Sequence, residues 1–445
     1  MPLMSYGPSK ACRTFVMLLL CFASSCGGSK ESGDGGVVIT PNIDGGCPDN
    51  HLLCGEFCVE CPTQSGANAF SCSDDGRCVI TGCSNGYAFC DNACCAFLEN
   101  KEKAADTNGL DTWPAQASVD LVVDPDDVPH VIFTKEKGAA LSHVYKPADW
   151  DIVTAVGTDS LVSHVVSRAD SQGRIHVAYL AGGEIKYALR DSDGNWNGPE
   201  LVATSNGGPG LDFAGDDTPR IAYYDPANGG EGHSLRFASN TGGSWSSSKI
   251  TEGLLSQAGA FVAMRWQRGD SKGHIVYFDY TRGNKHQGEL KYIMRNGDSW
   301  EAPETIVSWE DGVSAADISF DLFLDSEKKL HLIYSDVFAK HVGHVIKAEN
   351  DASWSYLVIA ENSHIDPEVR PFIVVDNAGI AYALYRTPYA TGTTQFGVLD
   401  LGGVWGTQPL VSSSTVAAAA LALDQAGAPH VAYIDINTDS LRYAY

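Results

Sequence analysis

Two sets of residues in this chain have the types and regular spacing to do chemistry. Asp120, Asp212 and Asp321 each stand four residues before an aspartate that recurs along the chain. Carboxylates gathered at one place hold a hard cation such as calcium; held apart, they line a solvated channel or hydrogen-bond their neighbours. His130, His176, His331 and His430 each stand six residues after the recurring aspartate, and Tyr382 takes that slot in another copy. Imidazoles ligate metals and move protons. One histidine per repeat puts the four in separate structural units, too far apart to share a metal. A hydrogen-bonding role within each unit is the expectation.

Other patterns have mundane explanations. Gly269-Asp-Ser271-Lys-Gly273 has the glycine spacing of a serine-hydrolase elbow, which requires a strand-to-helix turn. Here the pattern lies between two strands and is expected to form a hairpin turn. Asp435-Ile-Asn437-Thr-Asp439 opens like a calcium loop but lacks the following glycine and the distal glutamate. Asn and Asp at those positions also suit a turn. No H-E-x-x-H, P-loop or dinucleotide glycine pattern occurs.

The elements that must position these residues come from an internal repeat. Asp124, Asp170, Asp216, Asp270, Asp325, Asp376 and Asp424 recur about every 50 residues. Most copies carry a His-Val-Ala-Tyr-like run, then Leu-x-Tyr-Ala, then a tryptophan, at Trp150, Trp196, Trp245, Trp300, Trp354 and Trp405. Short alternating strands with Gly/Asp turns at this period predict an all-β fold, a seven-bladed β-propeller of four-stranded blades over residues 113–445. The last copy ends at Tyr445 before its outer strand. Asn108-Gly-Leu-Asp-Thr-Trp113 is expected to supply that strand from the other end and close the ring. The tryptophans, fixed at the start of the outer strands, are expected to pack between blades rather than to form sugar platforms.

The 13 cysteines stop at Cys95. Setting aside Cys12, Cys21 and Cys26 leaves ten: Cys47, Cys54, Cys58, Cys61, Cys72, Cys78, Cys83, Cys90, Cys94 and Cys95. An even number in so short an exported segment predicts a small disulfide-rich module over 47–95, of undetermined connectivity. Cys58-Val-Glu-Cys61 has zinc-ligand spacing, but no second pair accompanies it. Residues 76–90 resemble EGF-like cysteine-rich stalk modules, which act as spacers or interaction sites. Residues 96–112 are a charged linker.

Lys10 and Arg13 precede the apolar run from Phe15 to Ala23, followed by Ser24-Ser25-Cys26-Gly27. This is the order of an export signal over residues 1–25. The small residues before Cys26 resemble a bacterial lipobox, which implies a lipid-anchored cysteine and, with Gly27 next, sorting to the outer membrane of a bacterial envelope. Residues 26–46, rich in Gly, Ser and Asp, form a tether. A net charge of −25 repels phosphate backbones and argues against a nucleic-acid partner.

The Gly/Asp-x-Trp hairpins, such as Asp193-Gly194-Asn195-Trp196, resemble the Asp-box (BNR) repeats of sialidase-like propellers. In that family the boxes fold hairpins away from the active site. The resemblance also implies an arginine triad gripping a carboxylate, a Tyr–Glu nucleophile pair and an acidic proton donor. Arg168, Arg265 and Arg370 lie on inner strands and can approach the central opening, but no Tyr–Glu pair accompanies them. The expectation is therefore a surface-anchored, non-enzymatic binding protein for a glycan, peptide or envelope partner, with no cofactor beyond a conceivable calcium ion. A divergent glycosidase or polysaccharide lyase and a structural envelope component are the alternatives.

Overall fold

The computed structural model describes residues 98, 100–107 and 117–445, together with strand backbone between residues 30 and 96. Loop residues 136–137, 152, 160, 227–232, 255–260, 268, 271, 283–285, 310–317, 337–339, 361–369, 388–392, 400–404 and 412–415 lie outside the description. The export segment, Cys26 and the side chains of the ten module cysteines lie outside it too. In the module, His51–Cys54 pairs with Phe57–Glu60 and Tyr87–Cys90 with Ala93–Ala96, both as antiparallel hairpins.

Seven antiparallel sheets follow, six of them meanders in chain order and the seventh completed by a strand from ahead of the first. Their inner strands are Val119–Val123, Val162–Ala169, Gly210–Phe213, Val262–Trp266, Ile318–Leu324, Phe372–Val375 and Val416–Leu423. The second strands are buried on both faces: Val131, Ile132 and Phe133 in the first blade and Ile175, Val177 and Ala178 in the second are fully covered. Such two-sided burial follows from sheets packed against a neighbour on each flat face, and explains apolar runs where a one-sided sheet would alternate.

Closure differs from the expectation. The outer strand of the seventh blade is Lys101–Asp106, pairing Leu441 with Ala105 and Arg442 with Lys103. Residues 108–113, expected there, lie outside the described residues. The turn at 435–439 docks this strand. Asp435 caps it by accepting from Asn437 N–H, and Asp439 accepts from the Thr107 hydroxyl at 2.5 Å. These aspartates serve turn geometry and closure, as their spacing without a distal glutamate suggested.

A polar–aromatic relay repeats around the ring. In the first turn, Asp124 Oδ1 accepts from the N–H groups of Asp126 and Val128, and its Oδ2 meets His130 Nε2 at 3.1 Å. With that nitrogen donating, His130 Nδ1 accepts from His143 Nε2 on the third strand at 2.9 Å. His143 then takes the edge of Trp196 from the next blade. The same chain runs Asp170–His176–Tyr187–Trp245 and Asp325–His331–His344–Trp405. Around the closure it runs Asp424–His430–Tyr443–Trp150. Each repeat tryptophan packs edge-on against a third-strand aromatic ring of the preceding blade, including Trp300 on Phe237 and Trp354 on Tyr292. The tryptophans are therefore inter-blade packing, and the histidines are links in the relay, each in its own blade.

Blades are also stitched deeper in. The buried Tyr224 hydroxyl of the third blade donates to Phe278 O at 2.8 Å and accepts from Phe278 N–H at 3.0 Å in the fourth. Tyr224→Phe strands both main-chain groups in a dry site, at about 1–3 kcal/mol each. We expect about 2–4 kcal/mol of lost stability, read as a lower urea midpoint with an unchanged slope.

Candidate functional site

The repeat aspartates do not all hold equivalent places. The turn after the inner strand opens where a residue's N–H donates to a carbonyl four residues on, as Asp170 does to Arg174. In the third blade that residue is Ala214, bonded to Thr218, and Asp216 falls inside the turn. In the fourth blade it is Gln267, whose N–H reaches Lys272 O across a turn one residue longer. Asp270 N–H donates to Gln267 O in the same turn, so the G-x-S-x-G pattern is a hairpin and not an elbow. Ser271 itself lies outside the described residues.

This shift moves candidate site residues. Asp120 and Asp321 pair with Ile132 and Ile333 on their second strands, but Asp212 pairs with Arg220. Arg220 thus occupies the slot held elsewhere by His130 and His176, and His274, opposite Arg265, is its counterpart in the fourth blade. Counting from the aspartates alone misses both. Asp212 belongs to the same ring layer as Arg168 and Arg265, two residues nearer the turns than Asp120.

The channel at the centre of the ring holds a cavity of about 300 Å³ lined by all three carboxylates and all three arginines. The carboxylates act chiefly as staples between inner strands. Asp120 accepts from both the N–H and the hydroxyl of Ser167, Asp212 from Trp266 N–H at 2.7 Å, and Asp321 from Ile373 N–H at 3.4 Å. Each bond crosses to the next blade. The acidic cluster considered for a cation is therefore an ion-paired set with guanidinium groups between its members, an arrangement that repels a metal ion. Among the described residues no three His, Cys, Asp or Glu side chains come together in metal-holding geometry.

Arg370 is the most committed of the three arginines. Its Nη2 donates to Asp321 at 2.7 Å, its Nε to Phe320 O at 3.3 Å, and its guanidinium carbon lies 5.3 and 5.2 Å from the ring centres of Phe261 and Phe372. Arg168 hydrogen-bonds through Nη1 to Ser167 O at 2.6 Å, and Arg265 through Nη1 to Met264 O at 2.8 Å. Their closest carboxylate contacts are longer, 3.8 Å from Arg168 to Asp120 and 3.6 Å from Arg265 to Asp321. Burial lowers the Arg265 pKa to about 10, and the Arg168 charge adds to that, against the opposing pull of Asp321. Burial likewise raises the Asp120 carboxyl, with Arg168 and Ser167 opposing it. A low-dielectric pocket that crowds guanidinium groups is relieved by an anion.

Fold and site together define a seven-bladed propeller of four-stranded blades with a charged pocket in its channel. Similar architecture occurs in an ulvan lyase of a polysaccharide lyase family, determined bound to -[GlcA(1-4)Rha3S]-. It matches with a TM-score of 0.53 at 10% identity, covering 77% of this chain and 95% of that one. AofleA from Arthrobotrys oligospora (TM-score 0.49, 12% identity, 79% of this chain and 94% of that one) is also similar. So is virginiamycin B lyase from Staphylococcus aureus (0.48, 12%, 78% and 98%). At such identities the likeness concerns fold alone. No protein-family model and no curated relative matches the sequence.

Proposed function

We propose that this chain is a surface-anchored binding protein that holds an acidic ligand in the central channel of its propeller, with Cys26 as the lipid-bearing residue. One observation carries the proposal. Arg168 and Arg265 face a shared cavity, and among the described residues each has one guanidinium nitrogen in a hydrogen bond and its nearest carboxylate at 3.8 or 3.6 Å. Forked donors held in a partly dry cavity suit a planar anion such as a carboxylate. Among the described residues the cavity lining holds no histidine or tyrosine, and its carboxylates are bonded to the main chain of the next blade. That favours binding over turnover. A tether and cysteine-rich segment would set the propeller off from the membrane.

The test is an array of acidic and neutral glycans and peptides probed with residues 27–445, folded under oxidising conditions. Acidic probes should be retained, and Arg265→Met should weaken them by about 30-fold or more, as expected for a lost charge-assisted pair. An array without acidic binders would refute the proposal. Turnover of an acidic polysaccharide that disappears in Arg265→Ala or Arg370→Ala would replace it with the lyase or glycosidase alternative.

A further inference from the structure

One layer of the channel is polar on one side only. In the ring layer two residues before the turns, the second, third and fourth blades contribute Arg168, Asp212 and Arg265. The remaining blades contribute Phe323, Val374, Ala422 and Val122, which run without a break around the other side. In the layer behind, Phe372 shares the lining with Asp120 and Asp321, whose carboxylates are bonded to the next blade, and with Arg370. Asp212 does not neutralise its two neighbours by contact. Its Oδ1 accepts from Phe213 N–H at 2.9 Å and its Oδ2 from Trp266 N–H at 2.7 Å.

Resting on the acidic-ligand proposal, we infer that the channel takes a small carboxylate with an apolar body: the carboxylate between Arg168 and Arg265, the body against Phe323 and Val374. A fully hydroxylated acidic sugar fits this layout poorly. Hydroxyl groups laid on Phe323 and Val374 lose water and gain no partner from those side chains, and each such loss is costly. An alkyl or aryl body gains from the same contact in proportion to the area it covers. The volume of about 300 Å³ stands at the small end of ligand cavities, enough for one ring or a short chain and not for an extended oligosaccharide.

Calorimetric titration of the full chain with phenylpropanoate, hexanoate, glucuronate and acetate tests this. Phenylpropanoate is expected to bind at least about tenfold more tightly than glucuronate or acetate, with hexanoate between them. Arg265→Met should abolish binding of all four. Val374→Thr, close in shape but carrying a hydroxyl, should weaken phenylpropanoate by about tenfold and leave glucuronate unchanged. An unchanged melting temperature shows that each variant is folded. If glucuronate binds as tightly as phenylpropanoate through Arg265, the apolar-body inference falls and the acidic-ligand proposal stands. If no carboxylate binds, both fall. Phenylpropanoate binding that ignores Arg265→Met and Val374→Thr places the ligand elsewhere and also overturns the inference.

Discussion

Acidification from pH 7 to pH 4 is expected to remove about 6 kcal/mol of stability through His274 and His344 alone. Burial, reinforced by Lys272, holds His274 at about 4, and burial, reinforced by His331, holds His344 at about 3. In the unfolded chain both return to about 6.5. The folded state thus favours the neutral ring. Its contribution is complete above pH 6.5 and is lost as the pH falls towards the folded values, at about 3 kcal/mol per residue by pH 4. His143, held well below the usual range by burial and then by His130 and Arg190, adds to the loss. The carboxylates act later. Burial would raise Asp170, but bonds from His176 and Arg174 outweigh it and hold it low, so its contribution disappears only below the ordinary carboxylate range. Urea midpoints measured between pH 7 and 4 should therefore fall well before carboxylates titrate. His344→Tyr copies the Tyr187 and Tyr292 solution of other blades, where a phenol bonds the second-strand histidine at 2.6 and 2.7 Å. It should flatten the pH dependence. A slope identical to that of the native protein would show that His344 does not titrate on unfolding.

The second large effect concerns closure. A chain starting at Asn108 lacks Lys101–Asp106 and leaves the strand Ser440–Ala444 as an open edge. Leu441 and Tyr443, now fully or almost fully covered, would become accessible on one side. Also lost are the Thr107–Asp439 bond, the Lys101 bond to Leu410 O at 2.6 Å, and the Glu102 pair with Lys146 of the first blade. Exposing a leucine and a tyrosine costs about 1.5–3 kcal/mol each, against a total stability of about 5–15 kcal/mol. The melting temperature should fall by about 10 °C, and the free edge should promote association. A chain starting at Phe97 keeps the strand and the buried Leu98 and should behave as the native propeller. Equal melting temperatures for the two would mean that the ring does not depend on this strand.

Fold class was legible in the sequence because a propeller is built from local units. Each blade is a meander of neighbouring strands, so aspartate turns, alternating apolar strands and a trailing tryptophan appear in order within about 50 residues. The packing role of Trp196 and the single-blade role of His176 followed from that periodicity. What failed was counting across irregular turns. Asp216 and Asp270 look like members of the series, yet Ala214 and Gln267 open their turns, which displaces Asp212 by two residues along its strand and hides His274 and Arg220. A turn aspartate and its substitute share a backbone bond that sequence does not display.

The sequence by itself therefore determined the kind of fold, the number of blades and, in five of the seven, the aspartate that opens the turn, since these depend on patterns within a single repeat. Only the tertiary structure decided which segment ahead of the first blade closes the ring and which residues meet in the channel. Lys101 lies beside Leu410, Asp120 beside Ser167 and Arg370 beside Asp321. Those contacts cross from blade to blade or from one end of the chain to the other, and ring closure, rather than any local preference, brings them together.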